Sequence, residues 1–225
     1  MSITQKIKKF ISSNKYFTWI QFFSNWLFQG VGHADKTEKI YKITFTLFFF
    51  VIIILYQYSL QPLNLYTILL SFFYAHTFNW FINCNLFVLL VHRVKWVTIS
   101  KIRYFNYLKR LQKRFENRKW VYYCVCMGSI CQGGLDKDSD IDITIVRKRG
   151  FFNAILTIIF YVYEKKYADF HGIPLDIFIS DSADNNIKKS KNQDNPIVIY
   201  DPLNNLNKHF KRKQTVNDAM KINNV

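Results

Sequence analysis

The chain has 225 residues, half of them apolar and 18% aromatic, and a formal net charge of +16 from 31 basic and 15 acidic residues. That length allows one ordinary domain plus additional elements. The four cysteines (Cys84, Cys124, Cys126, Cys131) form no disulfide framework and lack a fourth ligand at zinc-site spacing, which argues against a disulfide-stapled scaffold and a thiolate zinc centre. They read as small core hydrophobes in a reducing cytosol. The excess of Lys and Arg suggests an anionic partner, whether nucleotide, lipid headgroup or nucleic acid, although the Lys-, Asn-, Ile- and Phe-rich composition also suits an AT-rich genome.

Charge is unevenly placed: no Asp, Glu, Lys or Arg occurs between Lys42 and Arg93. Residues 1–42 read as an interfacial helix and linker, and within residues 1–30 no uninterrupted apolar run leads to a small-residue cleavage site, so a cleaved signal peptide is not expected. Tyr16, Trp19, Ile20, Phe23, Trp26 and Leu27 recur at helical spacing, opposite Asn14, Thr18, Gln21 and Asn25. That pattern predicts an amphipathic helix at a membrane interface.

Residues 43–60 form an uncharged run at the short end of transmembrane length. A turn at 61–64, with Pro62 and Asn64, separates it from a second run over 65–91. Residues 43–92 therefore predict a transmembrane helical hairpin. Its outer ends carry Lys36, Lys39 and Lys42 on one side and Arg93, Lys95, Lys101 and Arg103 on the other. The positive-inside rule places both ends in the cytoplasm. In the second run His76, Asn79 and Asn83 share a helix face, with Trp80 and Asn85 nearby. Such groups either hydrogen-bond between helices or line a groove for a substrate headgroup.

Residues 93–119 are strongly basic, with Glu116 the one acid, and Ile102, Phe105, Leu108, Leu111 and Phe115 supply an apolar stripe. They predict a basic amphipathic helix in contact with anionic membrane lipid. Nucleic acid is the less favoured partner, because the aromatics lie on the apolar face rather than as stacking platforms.

Residues 120–202 read as an α/β domain. Val121, Tyr123, Val125 and Met127 alternate as a strand. Further strands are expected over 141–146, 175–179 and 197–200, and a helix over 151–167. Residues 203–225 read as a polar tail, either loose or a short helix.

The chemistry concentrates in this domain. Gly128-Ser129 follows the first strand, Gly133-Gly134 make a turn, and Asp140-Ile141-Asp142-Ile143 opens the second strand. Side chains at i and i+2 of a strand point the same way, so Asp140 and Asp142 can reach one cation. Asp176, in Leu175-Asp176-Ile177, would lie on the neighbouring strand. Three carboxylates suit Mg²⁺ or Mn²⁺, Gly128 lets backbone approach a phosphate, and Ser129 can donate to a phosphate oxygen. Asp136 and Asp138 read as solvated turn residues and His171 as a loop histidine.

Cys126-Met127-Gly128-Ser129, Ser139-Asp140-Ile141-Asp142-Ile143 and Leu175-Asp176-Ile177 together resemble the DNA polymerase beta-like nucleotidyltransferase superfamily, near its minimal members, over roughly residues 120–202. The resemblance implies a mixed sheet with flanking helices. It implies nucleotide phosphates held by Gly128 and Ser129, metal held by Asp140, Asp142 and Asp176, and transfer of a nucleoside monophosphate from a nucleoside triphosphate to an acceptor. Membrane tethering makes a lipid-linked or membrane-protein acceptor the natural expectation. Gln132 stands where many minimal members carry Arg, so no phosphate contact from that position is implied. A catalytically inactive nucleotide-binding or membrane interaction module is the alternative.

Overall fold

The computed structural model describes residues 15–32, 34–83, 99–136, 139–189 and 195–225, without the side chains of 15–19 and 21. Asn14, Cys84, Asn85, Arg93, Lys95 and Asp138 lie outside the described residues, as does the end of the second apolar run. The chain divides into two units, one of Met1–His33 with Lys39–Cys84 and one of Ala34–Glu38 with Asn85–Val225.

Helices α1 (Lys15–Phe28), α2 (Lys36–Leu60) and α3 (Leu65–Asn83) supply the first unit. The apolar run of α2 begins at Ile43, but its helix begins at Lys36, and Thr37, Glu38 and Lys42 of these first turns are buried. Among the described residues α2 alone is long and apolar enough to cross a membrane, and only 6% of its apolar window is buried. At 1.5 Å per residue its 25 residues extend roughly 37 Å. Asn64 caps α3, accepting from the Thr67 amide at 2.9 Å while its own amide donates to Thr67 Oγ1 at 3.0 Å.

The buried residues of α3 are Thr67, Ser71, Ala75, Asn79 and Asn83, a four-residue repeat of small and amide side chains that allows close helix approach. Phe45 and Phe49 of α2 meet Phe78 of α3, and Phe50 meets Phe72. The two helices thus pack against each other. Asn79 Nδ2 donates to the Lys42 carbonyl (2.9 Å) and Thr46 Oγ1 (2.6 Å), and Asn83 Nδ2 donates to Asn79 Oδ1. These amides tie α3 to α2. His76 lies on another part of the face, with Nε2 2.9 Å from the Trp26 carbonyl, and Trp26 Nε1 donates to Thr77 Oγ1. Ile20, Phe23 and Leu27 of α1 are exposed.

The second unit holds α4 (Lys101–Phe115), β1 (Val121–Met127), β2 (Ile141–Arg147), α5 (Phe151–Phe170), β3 (Leu175–Ser180), α6 (Ala183–Lys189), β4 (Ile197–Tyr200) and α7 (Val216–Ile222). The strands form a mixed sheet in the order β3-β2-β1-β4. β1 runs antiparallel to β2 and β4, and β2 runs parallel to β3. A parallel pair needs a crossover, which α5 provides. The expected α/β class with flanking helices is therefore present.

β1 is buried at every position but Tyr122, as a central strand covered on both faces must be. Tyr123, Val125 and Met127 pack with Val146, Leu206 and Phe210 on one face. Cys124 and Cys126 alternate to the other. Phe115 of α4 packs on Phe160 of α5 at 4.7 Å between ring centres.

Helix α4 departs from its expected role. Phe105, Leu108, Leu111 and Phe115 are buried in protein and Ile102 alone of the stripe is exposed, so this apolar face is spent on the domain core and not on lipid. Burial of a side chain such as Phe115 in the domain contributes about 1.5–3 kcal/mol to its stability. Its basic residues are partly engaged as well. Arg110 stacks on Tyr167, and Arg114 pairs with the buried Glu164 at 2.5 Å.

Candidate metal centre

Three elements meet at one end of the sheet. Residue 142 pairs with Met127 across the antiparallel ladder and with Asp176 across the parallel one. Asp142 is thus directly beside Asp176, while Asp140 enters just before β2. Asp140, Asp142 and Asp176 each place a carboxylate oxygen so that all lie within 4.8 Å of one another, and each side chain is half-buried. The expected convergence of these three residues is present. Hard oxygen donors at this separation fit a small divalent cation such as Mg²⁺ or Mn²⁺, and without one they would repel.

Gly128 ends β1 beside these acids with φ +93°. A Cβ there would stand 2.8 Å from Asp142 Oδ2, so no other residue fits without moving the carboxylate. Ser129 begins a 3-10 turn over Ser129–Gln132 and is exposed. Its carbonyl accepts from the Gly134 amide at 3.0 Å and its hydroxyl lies 3.3 Å from Ser139 Oγ. Ser139 also receives the Asp136 amide at 2.9 Å, which makes Asp136 an exposed turn residue as expected. Gln132 is exposed.

The Gly-Ser loop is held from distant residues that sequence reasoning did not single out. Asn223, 1% exposed, donates to the Ile130 carbonyl at 2.8 Å and accepts from the Leu135 amide at 3.2 Å. Gln214 Nε2 donates to the Cys131 carbonyl at 2.8 Å. Gly133, at φ +75°, leaves room for Ile222, whose Cγ2 would be 2.9 Å from a Cβ. Residues 203–225, polar in composition, thus include buried Leu206, Val216 and Ala219 and buttress the site. One signal was legible: Thr215 and Asp218 form a capping box at the start of α7. Tyr104 Oη donates to the Ser139 carbonyl at 2.6 Å and steadies the approach to Asp140.

Other candidates stand apart from the acids. His171 caps α5, its Nδ1 2.8 Å from the Tyr167 carbonyl and its ring stacked on Tyr167. Cys124, Cys126 and Cys131 are free and buried. Burial pushes the Cys124 and Cys126 thiols up, while the Cys126 hydrogen bond holds Cys131 down.

No known family model and no characterised protein sequence compared with the chain matches it.

Proposed function

We propose that the chain is a membrane-tethered, metal-dependent nucleotidyltransferase. The observation that carries this reading is the convergence of Asp140, Asp142 and Asp176 next to a Gly-Ser turn that only glycine can make. The acids would hold Mg²⁺ or Mn²⁺, which supplies charge neutralisation of a triphosphate and of the leaving pyrophosphate. Backbone amides of the Gly128-Ser129 turn and the Ser129 hydroxyl bind the phosphates. Asp176 takes the proton of an acceptor hydroxyl. The acceptor oxygen bonds to the α-phosphorus, the bond to the pyrophosphate oxygen breaks, and pyrophosphate leaves.

The tether is α2 paired with α3, whose outward side chains are apolar while amides face inward between the helices. Lys36 and Lys39 flank the apolar run, and the positive-inside rule supports a cytoplasmic catalytic unit. In this setting a lipid-linked or membrane-protein acceptor is the proposed class, and nucleic acid is not favoured. Ile20, Phe23 and Leu27 give α1 an apolar outer surface suited to the membrane interface.

The test is transfer of label from each α-labelled nucleoside triphosphate to components of a membrane extract, with purified full-length protein and Mg²⁺ or Mn²⁺. Asp142→Asn keeps the shape and removes a ligand charge, and it should lower metal-dependent turnover by orders of magnitude. Equal turnover in wild type and variant, or no metal-dependent transfer from any triphosphate, rejects the reading.

A further inference from the structure

Helix α5 is apolar on two sides. Its inner face, with Thr157, Phe160, Tyr161 and Ala168, is buried against the sheet and α4. Its outer face carries Phe151, Phe152, Ile155, Leu156, Ile159 and Tyr163, all exposed, with Phe151 at 74%, Phe152 at 78% and Ile159 at 61%. These positions follow one another along the outer side of the first three to four turns. A helix that packs one face on a core normally presents polar residues outward, and a continuous exposed apolar surface marks an interaction site.

The rim of this face is basic. Lys148 and exposed Arg149 precede the helix. The Lys148 amide donates to the Trp120 carbonyl at 2.8 Å, which sets that strand end beside exposed Arg118 and Lys119. Arg118 also reaches over the Phe160 ring. From Phe151 to Tyr163 the sequence holds no acidic residue, and Glu164, the first, is buried and paired with Arg114.

We propose that this face of α5 docks on an anionic bilayer surface, with Phe151, Phe152, Ile155 and Ile159 entering the headgroup–acyl boundary and Arg118, Lys119, Lys148 and Arg149 meeting lipid phosphates. An exposed apolar face ringed by cations is the pattern of an interfacial helix. A second copy of the chain fits less well, because a two-fold contact through this face would set one basic rim against the other. The inference is independent of the nucleotidyltransferase reading, and it gives the second unit a lipid contact of its own, distinct from the tether.

The experiment reconstitutes the full-length protein in vesicles doped with a phospholipid bearing a photoactivatable acyl chain. One set is phosphatidylcholine alone, and the other is phosphatidylcholine mixed with phosphatidylglycerol. After irradiation, adducts are mapped by peptide mass spectrometry. Adducts are expected on Phe151, Phe152, Ile155 and Ile159, several-fold more in the anionic vesicles. They should fall several-fold in the Phe151→Ser, Phe152→Ser double variant, whose changes touch only exposed positions. Adducts on α2 in the same sample report the tether separately, so failure of the tether and failure of this docking are distinguishable. Absence of α5 adducts, with or without labelling of α2, overturns the inference. So does efficient disulfide cross-linking between copies of a Phe152→Cys variant in the anionic vesicles, which would assign the face to a dimer.

Discussion

Gly128 shows how far a single backbone angle reaches. At φ +93°, with Asp142 Oδ2 at 2.8 Å from a would-be Cβ, a methyl group strains the turn and displaces a carboxylate together. Gly128→Ala should destabilise the protein by about 1–3 kcal/mol. It should also shrink the rise in melting temperature on adding Mn²⁺ toward zero, a change read by thermal denaturation with and without the ion. Glu164 offers a second test at this scale. Burial raises its carboxyl above the usual range, outweighing the opposing effects of Arg114 and Tyr107. A raised carboxyl binds more protons folded than unfolded, so its contribution to stability is full below the ordinary carboxylate range and is lost as pH rises through the raised value. The melting-temperature advantage of wild type over Glu164→Gln should therefore be largest in acid and decline as pH rises. A constant or widening difference contradicts that balance.

Among the elements, the connection between α7 and the Gly-Ser loop decides whether the loop beside the acids is held in place. Asn223→Ala removes a buried amide that satisfies Ile130 and Leu135, at a cost of about 1–3 kcal/mol for the groups left unpaired. Amide hydrogen exchange over residues 128–135 should quicken while exchange in β1 and β2 stays slow; unchanged exchange in the loop would show that Gly133 and Gln214 suffice. The elements around this loop differ in how plainly they could be read. Strands β1 to β4 were legible because β-branched and aromatic residues alternate or run continuously between turns. The acidic triad was legible in part because strand periodicity alone aims Asp140 and Asp142 the same way. Asn223 and Gln214 were not, since a buried amide and a solvated one look alike in sequence and only tertiary closure separates them. Helix α4 was misread for a related reason. An apolar stripe between basic residues suits lipid and protein equally, and the choice depends on a sheet formed by residues further along the chain. On α3 the repeat from Thr67 to Asn83 explains why Asn79 packs against α2, a role that the His76, Asn79, Asn83 grouping did not separate from groove lining.

For the whole molecule, the apolar exterior of α2 and the basic surface of the second unit make one expectation about location. With 6% of the α2 apolar window buried, water is a poor solvent for this chain. The protein should sediment with membranes after lysis and resist extraction by alkaline carbonate, yielding only to detergent; recovery in the soluble fraction would refute the tether. The hydrogen bond from Asn223 to Ile130 joins positions 93 residues apart, and this long span orders events in time. During synthesis the helices of the first unit emerge early, then the three acids, while the residue that fastens the Gly-Ser loop comes later than all of them. A nascent or prematurely terminated chain can carry every carboxylate, yet it lacks the Asn223 amide that fastens the Gly-Ser loop. On the proposed nucleotidyltransferase reading, a chain cut short before residue 223 would carry the acids beside an unfastened loop and should show no transfer.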